Sequence, residues 1–354
     1  MFEKVCHIGP ALYVQGGISS VLVNYRDLFN LPVENFISSY NGSFVKSLPI
    51  FFCLCLKLLL NPPGAPFFQI HTSFNGSFFR KFLISLCLRL RRKKYIAHVH
   101  GSQFKKMCST SPKIVQHFIR SYFKHSVMVI CITPDMQEFL DAFVGKGSCR
   151  YAVVPNPCST IAAEPVDLTT HALPVKIVFS GRYGRRKGVY DLIKAFSLAR
   201  FKTQVELYLY GDGEVEQVKS VVALSPKALN IHVSSWLRHD EYLERLQNFD
   251  LLALPSYAET FGMSLVEAMG VGLPVVSTFS GGVPYVVRDG VDGFLVEAGD
   301  VEALARKLEC LVDDVSLRTQ MGFSAWNGCK QRFSGKTVLQ LLESCYSGQV
   351  GRYA

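Results

Sequence analysis

Glu259 and Glu267 bracket the segment of this chain best suited to chemistry on an anionic ligand. The run Tyr257-Ala258-Glu259-Thr260-Phe261-Gly262-Met263-Ser264-Leu265-Val266-Glu267 follows an apolar stretch, Leu251–Ser256, that reads as a strand. A helix starting near Gly262 leaves Glu259 in the loop before it and Glu267 one turn inside it. The backbone N–H groups of Phe261, Gly262 and Met263 then lack helical partners and form a site for phosphate. Carboxylates beside such a site are ill suited to phosphate and better used to accept hydrogen bonds from sugar hydroxyls. A second anion site follows the apolar run Lys176–Gly181, where Ser180-Gly181-Arg182-Tyr183-Gly184-Arg185-Arg186-Lys187-Gly188 makes a glycine-flanked turn. There the Arg182 fork and the Lys187 point charge together suit a diphosphate. Near the start, Gln15-Gly16-Gly17-Ile18 lies between a strand and a helix, where backbone can approach phosphate or simply turn.

These residues need strands and helices to hold them at one sheet edge, and the sequence supplies both. Past residue 170, apolar runs at Lys176–Gly181, Gln204–Gly211, Asn230–Ser234, Leu251–Ser256, Pro274–Thr278 and Gly293–Glu297 alternate with helical patterns. The helices are expected at Gly188–Arg200, Gly213–Leu224, Asp240–Asn248, Met263–Gly270 and Asp300–Leu311. The N-terminal half repeats the alternation, with strands at Val5–Gly9, Pro66–His71, Tyr95–His100, Val127–Thr133 and Arg150–Pro155 and helices at Ile18–Phe29, Ser77–Arg91 and Pro134–Ala142. Regular β-α alternation predicts parallel sheets covered on both faces, with ligands beyond the C-terminal strand ends. The expected organisation is two doubly wound Rossmann-like α/β domains facing a cleft. Residues 1–165 form the first and 166–335 the second, joined by the Pro155-to-Pro174 stretch, and the tail 336–354 crosses back to the first.

The motifs together resemble glycosyltransferase family 4, retaining enzymes of the GT-B fold. The resemblance runs over nearly the whole chain through Gly16-Gly17, His98-Val99-His100-Gly101, Val154-Pro155-Asn156, Gly181-Arg182 to Lys187-Gly188, Tyr210-Gly211-Asp212-Gly213, and Glu259 to Glu267 continued by Ala268-Met269-Gly270-Val271-Gly272-Leu273-Pro274. It implies that Glu259 contacts the transferred sugar, that Glu267 contacts the nucleotide ribose, and that Arg182 and Lys187 hold the diphosphate. It implies that Phe261, Gly262 and Met263 offer backbone N–H groups, that Gly16-Gly17 approaches the same phosphate, and that His100 stands near the sugar. His71 and His98 are further candidates for the acceptor side. Ser235 stands where relatives usually have glycine before the tryptophan, here Trp236, in a loop near the base pocket. No Asp-x-Asp pair is present, so neither a metal nor another cofactor is expected, and cationic side chains with a helix terminus must neutralise the leaving diphosphate.

Charge suggests where the second substrate comes from. Residues 1–165 hold 18 Lys and Arg against 7 Asp and Glu, and Asn35–Pro134 holds 14 basic residues with no acidic one. Such a stretch attracts polyanions. No nucleic-acid reader motif accompanies it, so a nucleic-acid partner is not expected. The run from Lys81 to Lys94 couples apolar residues to a basic end, as an interfacial helix does, or as a core helix with a solvated end does. The longest apolar runs, Leu48–Leu60 and Phe82–Leu90, are too short to span a bilayer. The 11 cysteines have no paired spacing and fit a reducing compartment, and Met1–Gly9 reads as a strand rather than a secretory leader.

The expected protein is a hexosyltransferase, cytoplasmic and peripheral at the inner face of the membrane. It passes sugar from a nucleotide-diphosphate donor to a polyprenyl-diphosphate-linked glycan in capsule, exopolysaccharide or O-antigen synthesis. A nucleotide-sugar epimerase of the same fold and a non-catalytic partner subunit are the alternatives.

Overall fold

The structure, a computed structural model, describes residues 4–14, 16–101 and 103–350. Gln15, within the glycine motif above, and Ser102, next to Gly101, lie outside the described residues, as do 1–3 and the last four residues of the tail. The chain divides into two compact units, one formed by the residues up to Pro157 together with those from Gly335 onward, the other by Cys158–Ser334.

The first unit runs β1 (Cys6–Gly9), α1 (Gly17–Leu28), β2 (Phe36–Ser38), α2 (Phe44–Leu60), β3 (Phe68–Thr72), α3 (Gly76–Leu90), β4 (Tyr95–Val99), α4 (Phe104–Thr110), α5 (Lys113–Lys124), β5 (Met128–Cys131), α6 (Pro134–Val144) and β6 (Tyr151–Val153). All its strands pair in parallel, in the order β2-β1-β3-β4-β5-β6. The order reverses between β1 and β3, so the crevice beyond their C-terminal ends is this sheet's switch point. Its four central strands, β1, β3, β4 and β5, are buried throughout, as the two-face cover of a parallel sheet requires, while the edge strands β2 and β6 are partly buried. Phe68, Phe78, Phe104 and Tyr122 fill the core between sheet and helices.

The second unit runs β7 (Val175–Ser180), α7 (Val189–Leu198), β8 (Val205–Tyr210), α8 (Val215–Ala223), β9 (Ile231–Ser234), α9 (His239–Leu246), β10 (Leu251–Leu254), α10 (Met263–Val271), β11 (Val275–Thr278), α11 (Val283–Val286), β12 (Gly293–Val296), α12 (Val301–Asp313) and α13 (Val315–Phe333). Its parallel order, β12-β11-β10-β7-β8-β9, places the switch point between β7 and β10. Both loops that carry the anion-binding residues leave those two strands.

Elements differ from the sequence reading at informative places. The apolar run Leu48–Leu60 becomes most of helix α2, which contains Pro49, a residue that ordinarily argues against a helix. Strand β2 is only three residues long and went unread. The units divide ahead of residue 165, because Ala162 N–H bonds Gly270 C=O at 2.9 Å and Val166 N–H bonds Val271 C=O at 2.9 Å, tying that stretch to α10. Helix α14 (Gly335–Val350) belongs to the first unit, where its Tyr346 hydroxyl donates to Gln69 Oε1 on β3. In α3 the apolar stripe is core: Ile84, Ser85, Cys87 and Leu88 are buried, and so is Lys81, which was expected to be one of an interfacial helix's cations. Leu48, Ile50, Phe52, Leu56 and Leu60 of α2 and Phe79, Leu83 and Leu90 of α3 are exposed apolar groups there. Among the described residues no helix is long and apolar enough to cross a membrane.

Candidate functional site

The second unit builds its site from two loops locked together. After β7 the chain turns through Gly181 to Gly188, and Gly188, at φ +72, opens α7. A Cβ there would lie 1.9 Å from the Pro255 carbonyl oxygen, so only glycine lets this turn press against the loop after β10. Tyr257 N–H donates to Arg186 C=O at 2.9 Å and completes the join. Lys187 is thereby brought to Glu259, and its Nζ donates to Glu259 Oε2, both side chains being largely buried. Glu259 Oε1 also accepts the Thr260 N–H at 3.2 Å. Arg182 leaves the same turn exposed, with its Cγ 3.2 Å from where a Cβ on Gly213 would sit.

Helix α10 begins as expected, with Gly262 as its N-cap at φ +84 and no side chain capping it. The N–H groups at this end, those of Gly262 and Met263 among them, are the ones helical geometry leaves to a ligand. Phe261 is buried against Phe333, ring centroids 5.3 Å apart, so its side chain anchors the loop and only its backbone remains for binding. Glu267, one turn in, is 4 % exposed, and burial pushes its carboxyl up to about 8. Its nearest basic group is His239 Nε2, 3.8 Å from Glu267 Oε1. Burial lowers the His239 imidazole, so this is a contact of neutral groups rather than an ion pair. Arg182, Lys187, Glu259, Phe261, Gly262, Met263 and Glu267 thus share the C-terminal edge of β7 and β10.

Two parts of this site escaped the sequence reading. His239 beside Glu267 is one. The other is Ser280-Gly281-Gly282 after β11: Gly282 N–H donates to Glu259 C=O at 3.2 Å, and a Cβ on Gly281 would lie 1.9 Å from that oxygen. A second glycine pair following a strand was the available signal.

The remaining expected residues lie in the first unit. Gly16, at φ +154, and Gly17 begin α1 after β1, exposed and with open space where a Cβ would be. His100 is 8 % exposed just past β4, and burial lowers its imidazole to about 3, so it is neutral. His71 and His98 do not line a surface, since both are fully buried within the sheet. His71 bridges the other two strands of a chain, with Nε2 3.2 Å from His7 Nδ1 and Nδ1 2.9 Å from His100 Nε2. A neutral imidazole has one donor and one acceptor, so this chain couples the tautomer of His71 to that of His100. Its Nδ1 is buried without a protein partner. Gln69 Nε2 donates to His98 Nδ1 at 2.8 Å, leaving the His98 proton on Nε2. Among the described residues, His71, His98 and His100 are the one group whose potential metal-ligand atoms come within 4.8 Å of one another. Both nitrogens of His71 are already engaged by other imidazoles.

Similarity to known proteins agrees with this geometry. The family described as "Glycosyl transferases group 1" matches residues 168–326, the unit that holds the Glu259–Glu267 site. Residues 168–326 are thus similar to group 1 glycosyl transferases. The chain is 33% identical over 235 residues to the lipopolysaccharide core biosynthesis glycosyltransferase LpsE of Rhizobium meliloti, covering 63% of this chain and 66% of that one. It is 30% identical over 178 residues to the capsular polysaccharide biosynthesis glycosyltransferase CapM of Staphylococcus aureus, covering 48% of this chain and 45% of that one. The match thus spans just under two thirds of the first relative and under half of the second. Among solved structures, Anabaena HepE in complex with UDP-glucose aligns over 97% of this chain and 99% of its own, with a TM-score of 0.76 at 18% identity. The fold of this chain is therefore the GT-B fold.

Proposed function

We propose that this protein is a retaining glycosyltransferase that moves a hexose or related sugar from a nucleotide-diphosphate donor to a lipid-linked glycan in bacterial surface-polysaccharide synthesis. The observation that carries the reading is the meeting of Lys187 with Glu259 beside the uncapped N-terminus of α10, within the stretch similar to group 1 glycosyl transferases. A diphosphate competes for the Lys187 ammonium and releases Glu259 to accept from hydroxyls of the transferred sugar. Glu267, buried one turn deeper, meets the ribose. As the bond between the anomeric carbon and the diphosphate oxygen breaks, Arg182, Lys187 and the α10 N–H groups hold the growing negative charge, with no metal needed. The acceptor hydroxyl bonds to the anomeric carbon from the same face and passes its proton to the departing phosphate. His100 is proposed to meet a sugar hydroxyl through Nδ1.

Each donor of this kind is worth about 3–4 kcal/mol of barrier, so Arg182→Ala or Lys187→Ala should lower kcat by roughly 10²–10³. A panel of nucleotide sugars should also raise Tm in the native protein and less so in either variant. If both variants turn over normally, the diphosphate site is misassigned, and if donor alone yields an isomerised sugar, the protein is an epimerase.

The exposed apolar groups of α2 and α3, with Arg91 and Arg92 exposed at the end of α3, support a peripheral seat on an anionic cytoplasmic leaflet. Sedimentation with vesicles should then rise with anionic lipid content and fall in Phe52→Ser/Leu56→Ser. Equal, negligible sedimentation with neutral and anionic vesicles would exclude that seat.

A further inference from the structure

Among the described residues, two cations beside the switch point of the first unit, Arg80 and Lys81, form no ion pair with a carboxylate. Lys81, on α3, is 2 % exposed, and its Nζ donates to Ser39 Oγ. Ser39 in turn donates from Oγ to Gly9 C=O at 2.9 Å, so the ammonium sits at the C-terminal ends of β1 and β2, beside the switch point between β1 and β3. Arg80 is its neighbour, half-buried, with its guanidinium 5.0 Å from the Tyr40 ring centroid and its Nε buried without a hydrogen-bond partner. Burial and the Arg80 charge together lower the Lys81 amine to about 7, and burial lowers Arg80 as well. The sequence offers no acid from Asn35 to Pro134 to relieve either.

A buried cation without an anionic partner is costly, and such pairs persist where a ligand supplies the missing charge. The Ser39 proton is already given to Gly9, so the donors left for an oxyanion are the Lys81 ammonium and the Arg80 guanidinium with its unused N–H, and two adjacent positive charges favour phosphate over a singly charged carboxylate. We propose that Arg80 and Lys81, the latter positioned by Ser39, form a phosphate-binding subsite beside the switch point of the first unit. It takes the phosphate or diphosphate group of the acceptor, and this assignment of its occupant rests on the glycosyltransferase reading above.

The test uses the full chain carrying Arg182→Ala and Lys187→Ala, so that added anions cannot report on the donor site. Calorimetric titration with inorganic pyrophosphate should show one site, weakened at least tenfold by Arg80→Gln and by Lys81→Met. Arg80→Gln removes no protein hydrogen bond at Nε and keeps the readout intact if Lys81→Met fails to fold. A short-chain isoprenyl diphosphate binding more tightly than pyrophosphate, with the same dependence on Arg80, supports the subsite and assigns a lipid-borne phosphate. A sugar 1-phosphate doing so instead supports it and assigns a soluble one. Undiminished pyrophosphate binding in Arg80→Gln, or none in the parent, overturns the proposal. Donor binding is a separate readout: with Arg182 and Lys187 intact, Arg80→Gln should keep its thermal response to nucleotide sugar. Loss of that response in the native protein would reject the glycosyltransferase reading while leaving the pyrophosphate result to stand on its own.

Discussion

At the residue scale, Glu267 gives the site a pH signature. Its folded value of about 8 lies above the ordinary carboxylate range, so the carboxyl is protonated in the free protein at neutral pH. Ribose hydroxyls that donate to it favour the ionised form, and nucleotide binding should release a proton. Affinity should therefore rise as pH climbs from 7 toward 8, by up to roughly tenfold per unit, and level off above that. Calorimetry at several pH values should show this slope in the native protein and not in Glu267→Gln, and matching slopes would remove Glu267 from the binding step. The stability sign runs the other way. A carboxyl raised on folding favours the folded state most at acid pH, and that contribution is lost between about 4 and 8 as pH rises.

At the scale of elements, the site depends on how closely three loops approach. Gly281, at φ +54, lies against the Glu259 carbonyl, where a side chain has neither the conformation nor the space. Gly281→Ala should cost about 1–3 kcal/mol in urea unfolding and displace Glu259, so that donor affinity falls even in protein that remains folded. Native stability and native donor affinity in this variant would mean that the loop after β11 does not brace the site. The same logic explains the burial of α3: its apolar stripe covers the sheet, and the exposed apolar surface comes mainly from α2.

For the whole molecule, the two units should respond to acid differently. Burial lowers His7 and His100 to about 3, and His71 and His98 well below the ordinary value. In an unfolded chain these imidazoles take up protons near 6.5, so folding stability should fall as pH drops from 6.5 toward 3. Amide exchange at pH 5 should show β1, β3 and β4 losing protection before β7, β10 and β11. The reverse order would show that the histidine chain does not govern acid unfolding.

Much of this protein was legible before any coordinates. Alternating apolar runs and helical patterns gave both sheets, because each buried parallel strand writes its own apolar signal locally. Glycines next to Arg182 and Lys187, and Gly262 three residues after Glu259, marked the second unit's loops, because a tight turn at a strand end demands them. Helix α2 was obscured by Pro49, and β2 by its three-residue length. His71 and His98 read as surface candidates because sequence records that a histidine follows a strand pattern, not which way the sheet turns it. The residue types and their order along the chain therefore determined the fold class and singled out the loops after β7 and β10. Only the tertiary structure decided which groups meet: Lys187 with Glu259, Glu267 with a neutral His239, and Lys81 with Ser39. Those contacts join residues far apart in the chain, and burial, which sets their charge, is a property of the packed molecule alone.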